Sequence, residues 1–293
     1  MNSDPLLDPE LLARIQQRLG VPNHVTPDLA GLRQVYAAWC THIPFDNIRK
    51  MISLHAGAAK LAGLDAADFF ENWLAHGYGG TCWPSSNALY VLLRSLGFDA
   101  RRVAGAMFDM PDINHGTIKV RIDGRDWMAD TSMLTYEPLE LTDKVVIRNG
   151  PANAVEAEPD NGSYVIWADF PPLPEFIPCR LHRDPVDDEF YLERYEVYSR
   201  TQSPFNEKIY IRSGGPDGVS VLFGNGRFTR LADGGLDYRE FDRDSLCTYL
   251  VEEARISQNL VDAWVASGSL DSTFANNEQR PSPEITRPRP SRR

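Results

Sequence analysis

His115-Gly116-Thr117-Ile118-Lys119-Val120-Arg121-Ile122-Asp123-Gly124-Arg125-Asp126-Trp127-Met128-Ala129-Asp130 reads as two strands around a tight turn. Thr117 to Ile122 alternates in side-chain character, and Arg125 to Ala129 follows it. The Asp-Gly pair between them is a strong hairpin signal, because a two-residue loop needs positive φ at its centre. Pairing around that turn gives partner numbers summing to about 247, which sets His115 opposite position 132. Asp130 then lies within reach of His115 on the neighbouring strand. Taken singly, a His at a strand start is most often structural or solvated. An Asp at a strand end is most often a turn residue.

Upstream, Gly77-Tyr78-Gly79-Gly80-Thr81-Cys82-Trp83-Pro84 places a cysteine directly after a glycine turn. Leu89, Leu92, Leu93 and Leu96 then recur at helical spacing until Gly97, so a helix is expected to open near Pro84. A cysteine at a helix start sits at the positive end of the macrodipole, beside free backbone N–H groups. Both favour the thiolate, the nucleophilic form of the side chain. The same N–H groups can hold the oxyanion of an acyl-transfer intermediate. A buried cysteine packed under a glycine turn would look the same locally. The ordered set Cys82, His115 and Asp130 is what points to catalysis: nucleophile, base, and the carboxylate that orients the base.

The rest of the chain divides by pattern. The first hundred residues read as helical: Asp8-Pro9 ahead of Leu11, Leu12, Ile15 and Leu19, Thr26-Pro27 ahead of Leu29 to Trp39, and Ala66 to Leu74 with Phe69, Phe70 and Trp73 facing inward. Strands are expected at Arg101 to Met107, Ser163 to Trp167, Tyr191 to Tyr198 and Lys208 to Arg212. Another hairpin is expected around Gly224-Asn225-Gly226, and a last helix from about Ser245 to Ser267. Beyond Ser272 the chain turns polar and reads as a disordered tail rich in Pro and Arg.

Composition narrows the function classes. Over 293 residues the formal net charge is −11, although the last stretch, Arg280 to Arg293, carries five Arg against one Glu. An acidic body argues against nucleic acid as a partner and gives no attraction to anionic membranes. No apolar run reaches transmembrane length, and Met1-Asn2-Ser3-Asp4-Pro5 lacks the features of a signal peptide, so cytoplasmic residence is expected. The four cysteines form no Cys-x-x-Cys pair, so neither a metal site nor a disulfide framework is expected.

At this point the sequence resembles the arylamine N-acetyltransferases. Gly79-Gly80-Thr81-Cys82 is similar to the family's Arg-Gly-Gly-x-Cys motif, and His42-Ile43-Pro44-Phe45-Asp46-Asn47-Ile48 to its Ile-Pro-Phe-Glu-Asn-Leu motif. Val120 to Asp130 resembles the strand pair carrying the family's catalytic Asp, and Thr201-Gln202-Ser203-Pro204-Phe205 a further shared motif. The resemblance spans roughly residues 5 to 270. It implies an α+β fold on a core like that of cysteine proteases and transglutaminases. A helical domain over 1–97 would carry Cys82, and a β-barrel over 98–213 would carry His115 and Asp130. An α/β lid over 214–271 and the disordered tail over 272–293 complete the division. The implied activity is ping-pong transfer of an acetyl or other acyl group from acetyl-CoA, through a cysteine thioester, to an amine such as an arylamine. No permanently bound cofactor is implied. Three departures stand out: Tyr78 replaces the Arg, Ser86 stands where Asn is common, and Thr131-Ser132-Met133-Leu134 replaces a stretch containing Gly. Two other readings stay open. One is a superfamily amide synthase drawing on a thioester held by an acyl carrier protein. The other is a transglutaminase-like cysteine enzyme.

Overall fold

The computed structural model describes residues 6–149, 154–168, 170, 173, 176–215, 218–230 and 235–277. Five helices fill the first third: α1 (Pro9–Leu19), α2 (Leu29–His42), α3 (Ile48–His55), α4 (Ala66–His76) and α5 (Cys82–Ser95). Asp8 caps α1 by accepting the Glu10 and Leu11 N–H groups, and Gly20 ends it at φ 70°. The cap of α2 is Asp28 and not Thr26, since the Asp28 carboxylate takes the Gly31 N–H at 2.8 Å. The apolar faces of α1, α2, α4 and α5 meet in one core, in which Trp39 stacks on Phe69 at 5.9 Å and meets Phe70 edge-on at 6.1 Å. Burying each of Phe69, Phe70 and Trp73 contributes roughly 1.5–3 kcal/mol. Helix α3 is an addition to the sequence reading. Its buried residues, Ile48, Lys50 and Met51, include a lysine, so its apolar stripe is too short to stand out.

The central sheet has eight strands: β2 (Asp99–Met107), β3 (His115–Ile122), β4 (Arg125–Ala129), β5 (Leu139–Leu141), β6 (Val146–Asn149), β7 (Ala154–Asp160), β8 (Ser163–Ala168) and β9 (Ile177–His182). The order is β5-β4-β3-β2-β9-β8-β7-β6, antiparallel throughout. Its two outer strands, β5 and β6, are neighbours in the chain and lie close together, so the sheet curls into a nearly closed barrel. Val103, Met128, Leu139, Ile166, Cys179 and Leu181 pack within it. The other face of β3 lies against α5, with Ile118 and Val120 in the helical core.

A second sheet runs β1-β10-β11-β12-β13, built from β1 (Phe45–Asp46), β10 (Tyr210–Gly215), β11 (Gly218–Phe223), β12 (Gly226–Arg230) and β13 (Leu236–Glu240). Its first strand comes from the helical region, so the second sheet is tied to the first third of the chain. The β11–β12 hairpin turns at Gly224, φ 62°, as expected.

Three sequence expectations are corrected. Tyr191 to Tyr198 is not a strand: it is α6 (Asp188–Glu193) followed by a π-helical turn (Arg194–Tyr198) and α7 (Ser199–Gln202). Asp187 caps α6 by accepting the Phe190 N–H at 2.8 Å. Tyr191, Tyr195 and Ser199 are buried at a spacing of four while Leu192 and Val197 face solvent, so the helical period wins over aromatic strand propensity. The single last helix is two, α8 (Arg243–Glu252) and α9 (Gln258–Ala266), broken at Arg255 with φ 61° and restarted by the Ser257 cap. The change of polarity at Ser272 does not end the structure either. Helix α10 (Ser269–Ala275) buries Leu270 and Thr273, while residues 278–293 of the expected tail lie outside the described residues. Among the described residues no helix is long and apolar enough to cross a membrane.

Candidate active site

The turn ahead of Cys82 is shaped by a distant segment. A Cβ on Gly79 would lie 1.9 Å from the Pro44 carbonyl oxygen, so only glycine fits there. The Asp46 carboxylate accepts the Gly79 N–H through Oδ2 at 2.5 Å and the Ile48 N–H through Oδ1 at 3.1 Å. The Asp46 N–H in turn donates to the Gly80 carbonyl at 3.1 Å, within a one-residue parallel bridge between Phe45 and Gly80. The Ile43-Pro44-Phe45-Asp46 stretch is therefore the mould of the turn. Thr81 is the extended N-cap of α5 and Cys82 its first residue, two positions earlier than Pro84 suggested. Pro84 falls in the first turn, where a missing N–H costs nothing.

The His115 hairpin has the expected register. Ile118 pairs with Ala129 and Ile122 with Arg125, while Asp123 and Gly124 both have positive φ, 50° and 76°. His115 opens β3, and Asp130 is the residue after β4. Both are buried, and His115 Nε2 lies 2.6 Å from Asp130 Oδ2. Asp130 Oδ1 accepts the Ser132 and Met133 N–H groups, each at 2.8 Å. Tyr36 holds the backbone of this segment: its hydroxyl donates to the Asp130 carbonyl at 2.7 Å and accepts the Asp130 N–H at 3.2 Å and the Thr135 N–H at 3.3 Å.

Charge distribution follows from this pairing. Burial alone would lower the His115 pKa. The Asp130 charge, the hydrogen bond to Asp130 and the contact with Cys82 outweigh burial and hold the imidazole well above its usual range. Burial alone would raise Asp130. The His115 charge and hydrogen bond, with the Met133 N–H, hold it below the usual carboxylate range. The third candidate, Cys82, is buried at the start of α5, where its side chain interacts with the His115 imidazole, and its Sγ–H points to the Asn114 carbonyl at 3.9 Å, a sulfur hydrogen-bond distance. Asn114 is anchored by the Met107 N–H, which donates to its side chain at 2.7 Å. The structure thus brings Cys82, His115 and Asp130 together.

Side chains around them lock the geometry. A Cβ on Gly116 would lie 2.5 Å from the Tyr191 hydroxyl and 2.6 Å from Trp83, so a glycine after His115 lets these two rings meet edge-on at 4.8 Å. Ser86 donates to the Gly116 carbonyl at 2.8 Å and shares a 3.0 Å hydrogen bond with Thr131, tying α5 to β3 and to the segment after Asp130. Phe45, Phe205 and Tyr210 form an aromatic cluster next to Cys82, with centroids 5.0–5.5 Å apart. At Tyr78, Arg49 lays its guanidinium over the ring at 5.3 Å while paired to Asp68 at 2.8 Å.

Tyr36 and Asp46 shape the site although no spacing in the sequence marks them as functional. For Asp46 the signal is present, since it lies in the Ile-Pro-Phe stretch. Among the described residues no group of three or more His, Cys, Asp or Glu is placed to hold a metal ion.

A family model described as N-acetyltransferase matches residues 28–260. Arylamine N-acetyltransferase 1 from Homo sapiens is 26% identical over 226 residues, covering 67% of this chain and 75% of that protein. Proansamycin X synthase from Amycolatopsis mediterranei is 28% identical over 142 residues, covering 46% of this chain and 54% of that protein. The structure of the Mycobacterium marinum arylamine N-acetyltransferase in complex with CoA superposes with a TM-score of 0.76 at 16% identity, covering 90% of this chain and 98% of that one.

Proposed function

Because the chain belongs to the arylamine N-acetyltransferase family, on a match spanning residues 28–260, we propose that it moves an acetyl group from acetyl-CoA to an arylamine through Cys82. The observation that carries this reading is the buried 2.6 Å contact between His115 and Asp130, with Cys82 at the start of α5 against the same imidazole. In this mechanism the Cys82 thiolate attacks the thioester carbonyl and a new C–S bond forms. The oxyanion develops beside the backbone N–H groups at the start of α5, which has no side-chain cap. The C–S bond to coenzyme A then breaks, and the His115 imidazolium supplies the proton to the departing thiol. An amine next attacks the acetyl-cysteine, His115 takes its proton, and the amide leaves with Cys82 restored. Asp130 keeps Nε2 occupied, so Nδ1 is the ring nitrogen left to serve the sulfur and the amine.

The test is steady-state transfer with acetyl-CoA and a panel of substituted anilines. Coenzyme A release that depends on the aniline, with parallel double-reciprocal plots, is the expected result. No release with any aniline would remove the reading. An amide synthase fed by a carrier-bound thioester is the second reading. It rests on the partial match to proansamycin X synthase. Activity with a carrier-bound acyl thioester and none with acetyl-CoA would select it.

A further inference from the structure

Lys50 takes no part in the reaction above, yet it is buried beside it. It lies on α3, 3% exposed, and its Nζ donates one hydrogen bond, to the Ser199 carbonyl at 3.0 Å. An ammonium carries three donors. No carboxylate among the described residues pairs with Lys50, whereas the neighbouring cations are committed: Arg49 to Asp68 at 2.8 Å and Arg200 to Glu196 at 3.3 Å. Lys50 lines a narrow cavity with Asp46, Gly79, Gly80 and Thr81, directly under the turn that delivers Cys82. The Thr81 hydroxyl on the same wall is buried without a hydrogen-bond partner.

Such a lysine is expensive for the fold. Taking an ammonium out of water is costly unless a partner offsets it, and a Met of similar length would fill the space without that cost. The charged and titratable groups that face Lys50 are few. Asp46, at the N-terminal end of α3, is pushed up to about 6 by burial, against the pull of the Gly79 and Ile48 N–H groups. Arg49 lies on α3 itself, Tyr78 on the glycine turn, and Tyr195 on the π-helical turn. Lys50 is lowered to about 7, by burial first; the Cys82 side chain draws it back up and Arg200, on α7, pushes it further down.

We propose that Lys50 is a positioning residue for the nucleophile: held by the Ser199 carbonyl beneath the Gly79-Gly80 turn, its ammonium is a second positive charge favouring the Cys82 thiolate. The proposal rests on Cys82 being the nucleophile. The influence is reciprocal, since a thiolate that favours the ammonium is favoured by it to the same extent. It is present while Lys50 is protonated and fades as the pH rises through its folded value.

The test follows alkylation of Cys82 by iodoacetamide, peptide by peptide, from about pH 5 to about pH 9. In the wild type, Cys82 should be labelled far faster than Cys40, Cys179 and Cys247. Without that preference the nucleophile assignment itself falls, and this inference with it. With it, Lys50→Met should slow Cys82 labelling about three- to tenfold near neutral pH and move the acidic limb of the profile upward. Lys50→Arg, which keeps the charge, should stay within about twofold of the wild type. If Lys50→Met does not fold, Lys50→Gln keeps a donor for the Ser199 carbonyl and is read in the same way. A wild-type profile in the uncharged variant, whatever its melting temperature, would overturn the proposal, because a purely structural lysine moves stability and leaves the profile in place.

Discussion

His115 and Asp130 are each buried, and each is comfortable only because of the other. Asp130→Asn keeps the size of the side chain but removes the charge and can present an amide donor to the imidazole. A comparable exchange in a serine triad lowers turnover about ten-thousand-fold. A thiol ionises more readily than a hydroxyl, so the loss here should be at least roughly a hundredfold. Steady-state acetyl transfer alongside thermal unfolding of a well-folded variant measures it, and near-normal turnover would make Asp130 a turn residue. The same pair sets a pH window for stability. Asp130 is lowered in the folded state, so its contribution is present above about pH 4 and lost as pH falls through the folded value. His115 is raised, so its contribution is complete below about pH 6.5 and lost as pH rises through the folded value. Urea titrations of the wild type and of His115→Gln should therefore differ most between about pH 4 and pH 6.5. A difference that is flat from acid to alkaline pH would mean that the pair is not ionised.

Among the elements, the β3–β4 hairpin was legible because its turn chemistry is local. Asp123-Gly124 fixed the loop, the loop fixed the register, and the register placed His115 near Asp130. Helix α6 and the π turn were not legible. Their aromatic and β-branched residues satisfy strand propensity, and the buried spacing is set by distant partners: Tyr191 meets Trp83 of α5, Tyr195 donates to the Ala62 carbonyl, and the Ser199 carbonyl accepts from Lys50. Gly116 belongs to this scale. Gly116→Ala forces a methyl group into Trp83 and Tyr191, so it should destabilise the protein by about 1–3 kcal/mol. Denaturant unfolding reads the change, and an unaltered midpoint would show that the two rings yield freely. Asp46→Asn tests the other mould of the site. The buried Gly79 N–H then competes for a single amide oxygen, so Cys82 alkylation should slow although Asp46 never touches the sulfur. Wild-type labelling rates would mean that the glycine turn holds its shape unaided.

Across the whole molecule, the site depends on contacts far apart in sequence. Asn47 Nδ2 donates to the Phe205 and Lys208 carbonyls at 3.0 and 2.7 Å, and its Oδ1 accepts the Tyr210 N–H at 2.8 Å. These bonds fasten the start of α3 to the segment that carries Phe205 against Phe45. The motif was visible in the sequence, but not its partner some 160 residues away, because no local pattern encodes a closure of that span. Asn47→Ala leaves the buried Lys208 carbonyl and the part-buried Phe205 carbonyl and Tyr210 N–H without that partner and should cost about 2–4 kcal/mol. Equilibrium unfolding gives the value, and a loss under about 0.5 kcal/mol would mean that water replaces the side chain at little cost.

The proposed mechanism passes through a covalent acetyl group on Cys82. Mixing the protein with acetyl-CoA in the absence of amine, quenching in acid and mapping the peptides measures it directly. One acetyl group per chain is expected on the peptide containing Cys82. That group should disappear on adding an arylamine as the N-acetylated product forms, and it should be missing from Cys82→Ser. Acetyl on a different residue, or transfer by Cys82→Ser at the wild-type rate, would contradict it.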